Sequence, residues 1–460
     1  MPLVQTRRAV AAASSLLLTL SASATLAPVE AAPHDRHLRP NAVAHWNDIA
    51  GEAALAACLS PVGNPLHESR MYAVMHLAVH DALQAVDRRS APYAFSARVR
   101  GASPRAAVAA AARTSLVRTL AQMAASSEPA CTEAALDVVD EAYAAATSAL
   151  PDNRRTARGL ALGRRAGAAL ASHRSDDGSD TPLVVSDYPQ GDDPGEWRFT
   201  PELPFAFAPG WGDVEPFSLS RADQFRPEPR YRIRSRAYLR DFRQVKRLGS
   251  DGVSHRTART EDQTETALFW VESSPLSWNR LARTLATEQR LDLWSSARLF
   301  GLLNVAMADG YIASFDTKYD DPFWRPVTAV RLAGRDGNPR TRPDRDWTPL
   351  ATTPPIPEHD SAHAVEGGAA AAVLRRFFGT DAMSFDICSR TAATGSQCTD
   401  DAPRTRHFES FRDAARENAW SRVLVGYHFW HGAQEGLRHG SRIGAWVVEN
   451  ELRERSRGCS

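Results

Sequence analysis

Three segments, Ala106–Ala125, Cys131–Leu150 and Arg155–His173, are dense in alanine and nearly free of β-branched runs, which commits much of this chain to helix. Apolar residues also recur at helical spacing from Val43 to Asp87, with an interruption near Pro61 and Pro65. The pattern resumes at Ser235–Arg247, Thr264–Val271, Trp278–Leu285, Glu288–Ile312 and Ala364–Phe378, and again from His407 to the C-terminus. Pro151 and Asp152 punctuate two of these segments, and Asp152 is placed to cap the helix that follows. Strand alternation is confined to a few short pieces, and no internal repeat is found. The expected fold class is mainly α, with helical-bundle packing.

The stretch from Ser175 to Arg230 breaks this pattern, being rich in Pro, Gly and Asp but carrying Trp197, Phe205, Phe207, Trp211 and Phe217. A long segment with interleaved aromatics is expected to pack, over the mouth of a site. The organisation expected is a signal peptide over 1–32, an N-terminal helical region over 33–230 that includes this loop, and a catalytic helical region over 231–456. The leader reading rests on Arg7 and Arg8 ahead of an apolar, small-residue stretch from Ala9 to Ala27, with cleavage options near Ala24 or Ala31. Export, secreted or periplasmic, is therefore expected. Elsewhere no run approaches a membrane span.

A formal net charge of +1 with no basic block gives no reason to expect a nucleic-acid or membrane-surface partner. Five cysteines in an exported chain permit disulfides. Cys388 and Cys398 flank a polar stretch with Gly395 and suit a local loop closure, which leaves Cys459 as the candidate odd thiol. No cysteine spacing suggests zinc. Oligomeric state is not legible.

One compositional bias sharpens the search for a site. Of the 55 Lys and Arg residues only Lys246 and Lys318 are lysines. Lys318 opens a segment that runs through Pro322 to Arg325 and Pro326. A second segment, Pro357-Glu-His-Asp-Ser361-Ala362-His363, precedes the helix expected from Ala364. A third runs Ser421-Arg422-Val-Leu-Val-Gly426-Tyr-His428. Free N–H groups at a helix N-terminus, the Ala362 amide among them, bind oxyanions, and the Ser361 hydroxyl adds a donor. Arg325 and Arg422 present planar forks to tetrahedral oxygens, whereas Lys318 supplies a compact charge. Residues six apart on one helix lie about 240° apart, so Arg422 and His428 converge only if Gly426 breaks the helix.

These three segments in order resemble the signature of the vanadium-dependent haloperoxidases and the related acid phosphatases of the type 2 phosphatidic acid phosphatase superfamily. Ala297–Arg331, Met75–Asp87, Trp211–Phe225 and Pro354–Thr380 are similar to the bacterial haloperoxidase-like branch. The resemblance implies that Lys318, Arg325 and Arg422 neutralise the oxygens of a bound vanadate, with Ser361 and the Ala362 N–H as further donors. It implies His428 as the vanadium ligand and His363 as general acid/base. Hydrogen peroxide and a halide would be the substrates of a haloperoxidase. In an acid phosphatase, phosphate would take the same site and His428 would attack the phosphorus of a phosphate ester. A non-catalytic oxyanion-binding relative is the third alternative. The sequence departs from the family pattern at Ala362, where glycine is usual, at Asp360, where proline is usual, and at Gly432. An aspartate often stands at the last position and would fix the tautomer of His428. Glu435 or a backbone carbonyl is the expected substitute, and His431 is a further neighbour of His428. The position seven before His363 is Ile356, which leaves halide preference open.

Other histidines invite blander readings. His359 and His363 are four apart but lack the HExxH frame of a metalloprotease, and His359 is expected at the surface or a pocket edge. His76, His80 and Asp81 are read as packing and hydrogen bonding, and Lys246 as a surface charge.

Overall fold

The computed structural model describes residues 40–123 and 128–455; the expected leader and Cys459 lie outside them. Helices α1 (Ala42–Ala56) and α2 (Pro65–Val86) are separated at the expected prolines, and Asn41 and Asn64 cap their first turns. Almost every residue of α2 is buried, so it runs through the core rather than along a face. Helices α3 (Pro104–Met123) and α5 (Arg154–His173) pack against it, and α4 (Pro129–Ser148) lies on α1 and α3. The cap of α5 is Asn153 rather than Asp152: its side chain accepts from the Arg155 and Thr156 amides. Alanine and glycine let α3 and α5 approach closely, since a Cβ on Gly167 would sit 2.7 Å from the Ala111 carbonyl.

The second half begins with α6 (Arg236–Leu248), α7 (Glu261–Phe269) and α8 (Ser274–Glu288), with a capping box of Thr260 and Gln263 at α7. Helix α9 (Leu293–Asp320) starts later than its apolar pattern suggests, because Asp292 caps the Ser295 amide, and it continues through Lys318. Short α10 (Pro326–Arg331) follows, then α11 (Ala362–Phe378), α12 (Phe411–Leu424) and α13 (Trp430–Asn450). The segment from His407 is not helical at its start. A strand over Arg406–Ser410 pairs antiparallel with Ala382–Ile387, burying Phe385 against Phe408, before α12 begins behind its Ser410 cap. The main hydrophobic core runs from Val43 to Leu452, so both halves of the described chain contribute to it.

The long loop is packed. Asp309 of α9 accepts the amides of Phe217, Ser218 and Leu219 at 2.6, 2.8 and 2.9 Å. Asp177 receives Arg70 at 2.8 Å and Arg174 at 2.9 Å, all three buried. Val184–Val185 and Ala206–Phe207 pair as two short antiparallel strands, and the Phe207 amide donates to the Pro355 carbonyl at 2.9 Å. Disulfides join Cys58 to Cys131 and Cys388 to Cys398. No helix among the described residues is long and apolar enough to cross a membrane.

Candidate active site

Five chain positions feed one cavity because five local structures end there. Lys318 lies in the last turn of α9 and Arg325 is the residue before α10. Ser361 holds the N-cap position of α11, and Ala362 and His363 open the helix two residues earlier than the apolar pattern alone suggests. Arg422 occupies the last turn of α12, whereas His428 sits in the connection to α13 rather than on the helix itself. That connection turns at Gly426, whose φ of +88° suits glycine and whose missing side chain leaves room for the Gly249 carbonyl. The amides of Tyr427 and His428 both donate back to the Arg422 carbonyl, at 3.0 and 3.1 Å, which folds His428 toward Arg422.

The cavity encloses about 590 Å³, and its polar lining includes Lys318, Arg325, His363, Arg422 and His428 beside Ala362. Ser361 is buried behind this wall. Apolar walls come from Val184, Leu203, Phe205, Phe207, Phe315 and Ile356. Phe205 and Phe207 thus bring the long loop to the site, while Trp197 packs instead on Tyr188 and Tyr319.

The three cations are buried and bonded to neutral carbonyls. Lys318 Nζ donates to Pro357 at 2.9 Å, to Glu358 at 3.1 Å, and to Asp360. Arg325 donates to Ile356 at 2.7 Å and Tyr427 at 2.8 Å, and its Nη1 stands 2.8 Å from His428 Nε2. Arg422 donates to the Trp270 carbonyl. Burial and the Arg325 charge push Lys318 down to about 7. Burial is also the main cause that lowers Arg325 and Arg422 to about 10. Cations held against neutral dipoles attract an anion strongly in a low-dielectric site. Among the described residues, buried Ser361 Oγ, His363 Nε2 and Arg422 Nε have no partner. Ser361 makes no capping bond although it holds the cap position. Three unsatisfied polar atoms beside three buried cations and a helix N-terminus fit a tetrahedral oxyanion.

Both histidines are held neutral. Burial, then Arg325, Lys318 and Arg422, push His428 well below its ordinary range, and burial with Arg422 does the same to His363. His428 Nδ1 lies 3.0 Å from the Glu358 carboxylate, which also accepts the Phe429 amide at 3.0 Å. Sequence reasoning missed this residue. Glu435, the expected substitute, is paired with Arg438. His431 stacks on Tyr231 and His359. Glu358 stands inside the second motif, but nothing in its spacing announces a reach across 70 positions.

The remaining expectations divide. His359 is buried, bonded to the Glu228 carbonyl at 3.0 Å, and is neither a surface residue nor part of the cavity wall. Asp360, where the family pattern has proline, is buried between Ser314 and His439 at 2.8 and 2.9 Å and anchors the segment that bonds Lys318. His76 pairs with Asn47 and stacks on Phe300, and Asp81 accepts loop amides from Tyr93, Ala94 and Phe95. Lys246 is half-buried, with Nζ on the Arg342 carbonyl at 3.0 Å. No cluster of three metal-binding side chains occurs among the described residues.

Residues 298–455 match the family model of the VCPO second helical-bundle domain. Over 285 residues the chain is 28% identical to the vanadium chloroperoxidase of Curvularia inaequalis, covering 50% of this chain and 47% of that protein. The chain therefore spans about half the length of this curated relative. The fold is similar to that of a bacterial vanadium-dependent iodoperoxidase, with a TM-score of 0.69 and 23% identity over 91% of this chain and 98% of the other. A bacterial vanadium-dependent chloroperoxidase in its apo form gives a TM-score of 0.67 at 16% identity, covering 86% of this chain and 95% of that one. Its holo form gives 0.66 at 17%, covering 88% and 95%.

Proposed function

We propose that this chain, whose residues 298–455 match the family model of the VCPO second helical-bundle domain and which is 28% identical over 285 residues to a vanadium chloroperoxidase, is a vanadate-dependent haloperoxidase using hydrogen peroxide and a halide. The observation that carries the proposal is the convergence of a neutral His428 and three buried cations on the wall of one cavity, with an unsatisfied Ser361 hydroxyl buried directly behind Ala362 of that wall. Vanadate, when bound, would supply Lewis-acid activation of peroxide toward halide. Lys318, Arg325 and Arg422 would balance its charge, Ser361 Oγ and the Ala362 amide would donate to it, and His428 Nε2 would be its protein ligand. His363 Nε2 would hold and release a proton, which a neutral imidazole in the cavity wall is suited to do. The phenylalanine and aliphatic walls would lower the local dielectric and so strengthen each of these interactions.

We extend the proposal to an exported protein, supported by the two disulfides, which persist in oxidising compartments.

The test is a vanadate titration followed by parallel assays for peroxide-driven bromide and iodide oxidation and for phosphate-ester hydrolysis. Halide oxidation that requires vanadate and is suppressed by excess phosphate supports the reading. Phosphate-ester turnover with no vanadate-dependent halide oxidation assigns the site to an acid phosphatase instead.

A further inference from the structure

We propose that Glu358 is the positioning residue that fixes the orientation and tautomer of His428, and that position 432 is glycine because the Glu358 carboxylate fills the space a side chain there would need. The two ring nitrogens of His428 have different partners. Arg325 Nη1 faces Nε2 at 2.8 Å, and a guanidinium can only donate. Nε2 must therefore carry the lone pair and Nδ1 the hydrogen. That hydrogen meets Glu358 Oε1 at 3.0 Å, and the same oxygen accepts the Phe429 amide at 3.0 Å, so ring and backbone are aligned by one carboxylate. The Glu358 carbonyl meanwhile takes a hydrogen bond from Lys318 at 3.1 Å, which ties the anion-facing cation and the imidazole to a single residue.

Gly432 is the other half of the arrangement. A Cβ built there would stand 2.5 Å from Glu358 Oε1 and 3.0 Å from both Cδ and Oε2. The two positions thus exclude one another's side chains. An aspartate at 432 would project its carboxyl into the volume that Glu358 now occupies.

This inference takes from the proposed function only the identity of the anion, and its first measurement needs no anion. In ligand-free protein with ¹⁵N-labelled histidine, His428 should show the Nδ1–H tautomer. Glu358→Ala should give a mixture of tautomers and weaken vanadate binding by about 10- to 100-fold, as loss of an outer-shell partner does. Gly432→Asp alone should also weaken binding, because the new side chain displaces Glu358. The double variant, Glu358→Ala with Gly432→Asp, should recover both the tautomer and most of the affinity. Glu358→Gln keeps the shape and covers the case in which the alanine variant fails to fold; it should lose at least several-fold in affinity. Wild-type tautomer and affinity in either Glu358 variant would overturn the proposal, as would a folded double variant no better than Glu358→Ala. Wild-type protein that shows the Nδ1–H tautomer yet binds no vanadate would sink the haloperoxidase reading and leave the tautomer measurements to decide this one.

Discussion

Arg325 Nη1 and His428 Nε2 lie 2.8 Å apart, a cation set against the imidazole lone pair at the wall of the cavity. The contact is possible because the ring is neutral, and it helps to keep the ring neutral: burial comes first, then the Arg325 charge, in pushing His428 well below its ordinary range. Anion affinity should therefore not fall through protonation of His428 as pH drops past about 6.5. Arg325→Ala removes the second cause. Its vanadate affinity should drop at every pH and acquire an acid-side decline absent from the wild type. Dissociation constants for both proteins at matched pH from 5 to 8 check this; parallel profiles would contradict it.

Ser361 offers a sharper separation of structure from function. A capping serine replaced by alanine ordinarily costs about 1 kcal/mol, but this hydroxyl makes no capping bond and is buried without a partner. Ser361→Ala should leave the thermal midpoint unchanged or slightly raised. Loss of one hydrogen bond to a charged ligand, about 1.5–3 kcal/mol, should weaken vanadate binding by roughly tenfold or more. A lowered midpoint with unchanged affinity would reverse the assignment.

The residues of the proposed anion cradle were more legible in the sequence than their support. Lys318 stood out because lysine is scarce here, and Gly426 because Arg422 and His428 cannot converge on an unbroken helix. Both signals are local. The Glu358 bond to His428 is not: it depends on how the segment before α11 is laid against the turn before α13, and no periodicity encodes that. Glu435 was the nearer carboxylate in sequence, but it faces Arg438. The strand at Arg406–Ser410 escaped for a similar reason. Five residues with one buried phenylalanine carry too little alternation to outweigh the helical pattern that follows.

Lys318 should impose its own pH dependence. Burial and Arg325 lower it to about 7, against an ordinary value near 10.5. A depressed lysine means that between these values the unfolded chain binds the extra proton, so this group makes ligand-free stability rise with pH across that window. An oxyanion favours the charged form, so binding near pH 8 should draw a proton onto Lys318. Calorimetry in buffers of different ionisation enthalpy should report that uptake, and Lys318→Arg should reduce it. The same variant should bind vanadate more weakly despite its charge, because a planar fork does not match the three carbonyls around Nζ. Wild-type affinity and proton uptake in Lys318→Arg would remove the point-charge argument.

The two histidines should separate in their losses. His428 lines the cavity and is held by Glu358 at Nδ1, which leaves the lone pair of Nε2, now facing Arg325, as the atom a ligand role would use. His363 has an unpartnered Nε2 and lies in the first turn of α11, beside the same cavity. His428→Ala should abolish tight vanadate binding, whereas His363→Ala should keep it, since Lys318, Arg325, Arg422, Ser361 and the helix N-terminus remain. Turnover in His363→Ala should fall by roughly 10²–10⁴, the range for a positioned acid/base. Vanadate titration of both variants, followed by halide oxidation at saturating vanadate, makes the comparison. Equal losses of affinity would mean that both rings hold the anion. Tight binding by His428→Ala would take the ligand role away from His428 and leave Arg325 as its main reason for lying there.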